Sequence, residues 1–397
     1  MKLIAEIVDK HAHREFRRFL EATGTENWER KIAKLRSLRR RSPGPNVYSR
    51  YLASRNPLVE AIARYLSLEK DGKSLRKNAT PALMKASGYL KVINAVVHEG
   101  GTTAVQKVRS LVLDDETVRS FLFELDIAIN FFHLGYDVQF ADLQALGNYD
   151  LLVSDGQTEL EIECKTKSAD AGRKITRGNF YLLCDVLAAD LAPLTESFTL
   201  LFKTDGRLSG NQELFHTVAE EIKRCRVAGQ DTGQVEKLRF EILNLPPGLQ
   251  IKTNEEAAPA LAPHWSPGGH YFVWSNVQTL IVRCESTDQD RVLKAIYDDL
   301  KHGAGQLSKT RPSMLACQLE DIDDEGWNQL RSESGLAAMS GRLLGSPDRN
   351  FINFVVYSSD RTAPKKEGTT TSFFATNLWF GNKNPKYAIS KSFFASK

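Results

Sequence analysis

Leu160-Glu161-Ile162-Glu163-Cys164-Lys165-Thr166 is the segment whose residue types and spacing could do chemistry. Side chains alternate faces along a strand, so Leu160, Ile162 and Cys164 share one side and Glu161, Glu163 and Lys165 the other. Two carboxylates and an ammonium on an inner strand are costly unless they serve one another, a metal or a phosphate. Asp150 adds a further acid: it follows Gly147-Asn148-Tyr149 and precedes the apolar Leu151-Leu152-Val153. A tight turn at Asp155-Gly156 joins the two strands, so Asp150 can lie across from Glu163 or Lys165. Hard oxygens beside a lysine suit Mg²⁺ or Mn²⁺ together with a substrate phosphate. Such a metal lowers the pKa of a bound water and neutralises charge developing on phosphorus, while Lys165 orients the nucleophile or stabilises the transition state. Glu124, with Ala128 and Phe131 at the edge of a helical apolar stripe, could reach the same ion, taking roughly 100° per residue. Asp142, just before Leu143, rivals Asp150 for its role.

The elements that must position these residues follow from periodicity and breakers. Asp114-Asp115-Glu116 opens a long helix with acids where its dipole favours them, and Gly135 stops it. Strands are predicted at 137–140, 149–153, 160–166 and 198–203, and helices at 174–189 and 211–226. After a proline-rich stretch, 246–267, come strands at 279–284, 314–319 and 350–357, helices at 290–300 and 324–331, and a β-prone tail, 369–380. Residues 1–110 read as helical over 14–20, 28–41, 57–68 and 82–97, with breaks at Pro43-Gly44-Pro45, Asp71-Gly72 and Gly100-Gly101. The expected class is α/β with a mixed sheet. Three blocks are expected: a basic helical domain (1–110), a core (111–235), and a further α/β region (236–397).

With helical Glu124, Asp150 after a strand-opening turn, and Glu163-x-Lys165 thirteen residues later, the chain resembles the PD-(D/E)xK nuclease superfamily. The resemblance spans about residues 116–228 and departs from the pattern in having Tyr149 before the aspartate. It implies a restriction-endonuclease-like mixed sheet flanked by helices. It also implies Asp150 and Glu163 as metal ligands, Lys165 as the catalytic lysine, Glu124 as an accessory acid, and hydrolysis leaving a 5′-phosphate and a 3′-hydroxyl. The implied activity is a metal-dependent phosphodiesterase, on DNA ahead of RNA, with restriction or phage defence as the family habit. A non-catalytic DNA-binding or assembly subunit and an interaction protein of a larger complex are the alternatives. A homodimer or a partner subunit is left open.

Charge supports a polyanion partner. Net +4 over 397 residues conceals a division: residues 1–110 hold 23 Lys and Arg against 10 Asp and Glu, and residues 111–397 hold 30 against 39. Lys167, Arg173, Lys174 and Arg177 follow the Glu163 strand into a helix start, which suits phosphate contacts. Arg36, Arg39, Arg40 and Arg41 close a helix and could track a backbone, or serve its C-terminal dipole.

Other classes are excluded. No stretch approaches the ~20 apolar residues of a membrane span, and the first residues lack a signal-peptide apolar run. Five scattered cysteines form neither a zinc nor a disulfide pattern and fit a reducing cytoplasm. Gly303-Ala-Gly-Gln-Leu-Ser-Lys309 is a superficial echo of a phosphate-binding loop. His11, His13, His264 and His270 lack matching ligands, and Cys164 reads as a packed thiol. Trp379-Phe380 beside Lys383 and Lys386 reads as a packed strand ahead of a base-stacking surface.

Overall fold

The computed structural model describes residues 2–5, 9–41, 45–168, 170–245, 251, 256, 269–276, 278–322, 327–328, 330–331, 335–367, 370–389 and 393. For 2–5, 9–10, 39–41, 360–367 and 370–376 only the backbone is described. The chain is α/β, with two mixed sheets and ten helices among those residues. Its backbone gathers into two units: Met1–Ala33 with Arg55–Ala169 and Leu293–Lys397, and Lys34–Ser54 with Asp170–Val292. These boundaries cut across the consecutive blocks 1–110, 111–235 and 236–397, because strands from both chain ends enter the first unit's sheet.

In that unit the helices α1 (Asp9–Thr23), α2 (Thr25–Arg41, of which 25–33 belong here), α4 (Pro57–Lys70), α5 (Pro81–Leu113) and α6 (Val118–His133) come first. α3 (Val47–Arg55) lies almost wholly in the other unit. The break expected at Gly100-Gly101 is a kink inside α5, where Gly101 takes φ 63°. The stop predicted at Gly135 is present: α6 ends in a Schellman motif, with Gly135 at φ 85°, Gly135 N–H donating to Phe132 O, and Tyr136 N–H to Phe131 O.

The sheet of this unit runs β1 (Lys2–Ala5), β12 (Thr370–Gly381), β11 (Ile352–Glu367), β10 (Ser313–Glu320), β4 (Glu159–Ser168), β3 (Leu151–Ser154), β2 (Asp137–Phe140). β10 pairs parallel with both β4 and β11; the remaining pairs are antiparallel. The predicted N-terminal helical block therefore also supplies a strand, β1, which pairs with β12. α6 lies against β2, β3 and β4 and buries Phe121, Leu122, Leu125 and Ala128. Further along come α9 (Val292–Gln306) and α10 (Gly335–Leu344), the latter against β11. Residues 327, 328, 330 and 331 of the predicted helix 324–331 are described; the others are not.

The other unit carries a five-stranded sheet ordered β6 (Thr232–Val235), β7 (Leu238–Asn244), β5 (Phe198–Thr204), β9 (Thr279–Ser286), β8 (His270–Ser275), mixed through the parallel β5–β9 pair. Helices α7 (Arg177–Asp190) and α8 (Gln212–Val227) share its core with Phe198, Leu200, Phe202, Phe240 and Val282. α7 starts three residues later than the predicted Lys174, because Thr176 is its N-cap and accepts from Asn179 N–H at 3.4 Å. The sequence pattern predicts none of β1, α3, β6, β7, β8 and α10. Most of the proline-rich stretch 246–267 lies outside the described residues.

Candidate active site

The strand 160–166 extends to Glu159–Ser168, and its alternation is as the sequence implies, but neither face is wet. Glu161 and Glu163 are fully buried, as are Leu160 and Ile162. The charged face is covered from α9 and the turn that follows it. Ser308 N–H donates to Glu161 Oε2 at 2.8 Å and Ser308 Oγ to Glu161 Oε1 at 2.5 Å, with Arg311 Nη1 3.5 Å from that oxygen. Arg311 also reaches Glu159 at 3.0 Å and donates to the Tyr149 hydroxyl at 3.2 Å.

One turn from these groups, α9 approaches the strand so closely that a side chain at Gly303 would crowd it. A Cβ at Gly303 would stand 3.1 Å from both Glu163 Cγ and Lys165 Cε. The echo of a phosphate loop at 303–309 is thus a helix end packed on the charged row.

Asp150 sits one residue before β3 rather than on a strand spanning 149–153. The pairing of Leu151 with Ile162 carries the antiparallel register back to Glu163, and Asp150 Oδ2 accepts from Cys164 N–H at 2.6 Å. Asp150 is therefore a backbone-anchored acid with its second oxygen left over. Lys165 Nζ donates to Glu163 Oε1 at 2.5 Å and to Gln306 Oε1 at 2.6 Å. Glu163 Oε2 is buried without a hydrogen-bond partner, in contrast to both oxygens of Glu161.

Glu124 projects from α6 into the same field. Burial first, then the charges of Asp150, Asp142 and Glu163, hold its carboxyl well above the ordinary carboxylate range, against the pull of Lys165. Burial likewise raises Asp150, opposed by the Cys164 N–H and Lys165. Glu163 is pushed up by burial and then by Asp150, with Lys165 pulling the other way. Asp142 lies in the turn after β2; burial raises it too, and its Oδ1 is buried without a partner. The structure thus brings Glu124, Asp150, Glu163 and Lys165 into one electrostatic neighbourhood, with Asp142 at its margin.

The donor set has the chemistry of a divalent-cation site: carboxylate oxygens, one of them buried and unpartnered, around a single lysine. As the side chains stand, no three His, Cys, Asp or Glu groups among the described residues are gathered closely enough to chelate an ion. Lys165 supplies the counter-charge on Glu163 in this arrangement.

The basic residues divide. In the first unit Lys167 is paired with Asp299 at 2.6 Å. In the other, Lys174 pairs with Asp288 at 3.0 Å, and Arg177 donates its backbone N–H to Asp170. Arg173 lies partly buried, its Nε without a partner, and Arg36 is exposed. The side chains of Arg39, Arg40 and Arg41 lie outside the described residues. α1 presents a basic groove that charge counting along the sequence does not single out. It has a volume of about 520 Å³ and is lined by His13, Arg14, Arg17, Arg18 and Glu21.

Gln306, Gly303, Ser308 and Arg311 also escape sequence reasoning. The one local signal for them is a pair of glycines inside a helical pattern, each unfavourable by roughly 1 kcal/mol against alanine and so implying a packing reason. All five cysteines are buried and unbridged. Trp379 is about half exposed. Among the described residues no helix is long and apolar enough to cross a membrane. No family model, curated protein or solved structure matches the chain.

Proposed function

We propose that the chain is a metal-dependent nucleic-acid phosphodiesterase with a restriction-endonuclease-like core, acting on DNA ahead of RNA. One observation carries this reading. Asp150, Glu163 and Glu124 come from a turn, a strand and a helix to share one buried field with Lys165, and the free oxygen of Glu163 has no structural employment. Burying such an oxygen unpaired costs on the order of kcal/mol, which a bound cation would offset.

Asp150 and Glu163 would hold Mg²⁺ or Mn²⁺, with Glu124 as accessory ligand. When bound, the ion supplies a Lewis acid and a water of lowered pKa. Asp150 offers its oxygen from a fixed position because the Cys164 N–H holds the other. Lys165, held from two sides, presents its ammonium to a phosphate oxygen or to the attacking water. The arginines of α1 supply sequence-independent affinity for the phosphate backbone. Restriction or phage defence is the cellular role that the resemblance to the PD-(D/E)xK superfamily implies.

The second reading, a DNA-binding or assembly subunit without turnover, is favoured by the ion pair that ties Lys165 to Glu163 and by the absence of a gathered three-ligand group among the described residues. Incubating the protein with supercoiled DNA, linear DNA and RNA in Mg²⁺, Mn²⁺ or EDTA separates the two. Metal-dependent cutting lost in Asp150→Ala and Lys165→Ala supports the nuclease. Salt-dependent binding without cutting supports the subunit.

A further inference from the structure

We propose that Gln306 is a positioning residue for Lys165, and that Gly303 is the clearance that lets it serve; the inference rests on the phosphodiesterase reading. Gln306 is 141 residues from Lys165 and belongs to no motif shared with it. Its side chain makes two hydrogen bonds. Oε1 accepts from Lys165 Nζ at 2.6 Å, and Nε2 donates to the Asn148 carbonyl at 3.3 Å, two residues before Asp150. An ammonium can only donate and a carbonyl can only accept, so both partners demand the same orientation of the amide. One neutral side chain therefore braces the lysine and the turn that delivers the aspartate.

A lysine side chain carries about 2 kcal/mol of rotamer entropy, and an ammonium held by a single carboxylate is loose once that carboxylate takes another cation. Glu163 is such a carboxylate, with its second oxygen unpartnered. Gln306 carries no charge and gives Lys165 an acceptor that does not depend on Glu163. Gly303 lies three residues earlier on α9, hence on the same helix face, where a Cβ would press on both Glu163 and Lys165 at 3.1 Å. The close approach that a Cβ would crowd is the one that brings Gln306 within reach.

The test reads Lys165 directly and also reads turnover. In metal-free protein the Lys165 ammonium gives a ¹H–¹⁵N signal protected by its two acceptors, assigned by its disappearance in Lys165→Arg. Gln306→Leu should lose that signal and Gln306→Glu, which keeps the acceptor for Lys165 but not the donor to Asn148, should restore it, with both variants folded by circular dichroism. With Mn²⁺ and DNA, Gln306→Leu should lower kcat by about 10- to 100-fold at nearly constant KM, as small misplacements of reacting groups do. It should add nothing in a Lys165→Ala background. An unchanged ammonium signal in Gln306→Leu overturns the assignment. If the wild type cuts no substrate, the phosphodiesterase reading falls alone, and the ammonium signal still decides the role of Gln306.

Discussion

Glu161 and Glu163 leave the same face of β4 two residues apart, and only Glu161 has both oxygens satisfied. Ser308 and Arg311 close around the first, whereas the second keeps a buried oxygen free and shares its other with Lys165. The two acids are equivalent in alternation and opposite in employment: one holds the fold, the other is available for chemistry.

Their substitutions should separate accordingly. Glu161→Ala removes the buried acceptor of both Ser308 donors, while Arg311 keeps Glu159 and Tyr149, and is expected to cost about 1–3 kcal/mol. Glu163→Gln leaves the fold intact and abolishes cutting. Denaturant melts of both proteins beside a cleavage assay check this; an equally destabilised Glu163→Gln would place that residue with the scaffold.

Asp150→Asn keeps an oxygen for the Cys164 N–H while removing one charge from a crowd of buried acids. It should raise the metal-free melting temperature at pH 8 by about 2–4 °C, equivalent to roughly 1 kcal/mol. Activity should fall at least ~100-fold, the scale of removing one group from a preorganised site. Calorimetry in EDTA decides the first half and DNA cleavage the second.

The pH dependence of the metal-free protein has a definite sign. Glu124, Asp150 and Glu163 are raised in the fold by burial and mutual repulsion, so the folded state binds more protons than the unfolded one above the ordinary carboxylate range. Their contribution is full at or below the unfolded values and is lost as pH rises through the folded ones. His270 acts oppositely: burial and then Arg173 depress it to about 4, so its contribution is full above about 6.5 and fades as pH falls toward 4. Melting temperature in EDTA should decline from pH 6 to 8, and Asp150→Asn should flatten the decline. A decline of unchanged slope would remove these carboxylates as its cause.

Glycines on α9 should respond in opposite ways. Gly305 has open space around it, and Gly305→Ala should gain about 0.5–1 kcal/mol from helix propensity. Gly303→Ala should gain nothing in stability and should lose activity, because its methyl meets Glu163 and Lys165. Paired melts and turnover rates measure both.

Binding through α1 is an electrostatic prediction. Replacing Arg14, Arg17 and Arg18 by alanine should weaken DNA binding at all sequences and make the log–log salt slope shallower by about 0.9 for each phosphate that is no longer neutralised. An unchanged slope in fluorescence titrations over a range of salt concentrations would exclude this helix.

Much of the site was legible locally. Alternation in β4, the turn at Asp155-Gly156 and the stop at Gly135 are short-range effects, and they placed Glu124, Asp150, Glu163 and Lys165 together. What covers them was not legible. Nothing near β4 announces that β10 pairs along its other edge, or that Gly303, Gln306 and Ser308 close over its charged face. The charged row lies on an inner strand as its sequence implies, but the groups that cover it are distant in sequence. The ion pairs of the basic residues are equally non-local: Lys167 meets Asp299 and Lys174 meets Asp288, as Arg17 of α1 meets Glu69.

The parallel pairing of β4 with β10 carries a consequence in time. Cys317 stands opposite Lys165 in that ladder, about 150 residues later in the chain. At roughly 5–20 residues per second a ribosome needs about 8–30 s to make that stretch. Until then β4 has an open edge, and neither Gln306 nor Ser308 yet exists to order its acids. If the phosphodiesterase reading holds, a half-made chain would carry every residue of the motif without a working centre, and would be harmless to the nucleic acid around it until translation is well into its last third.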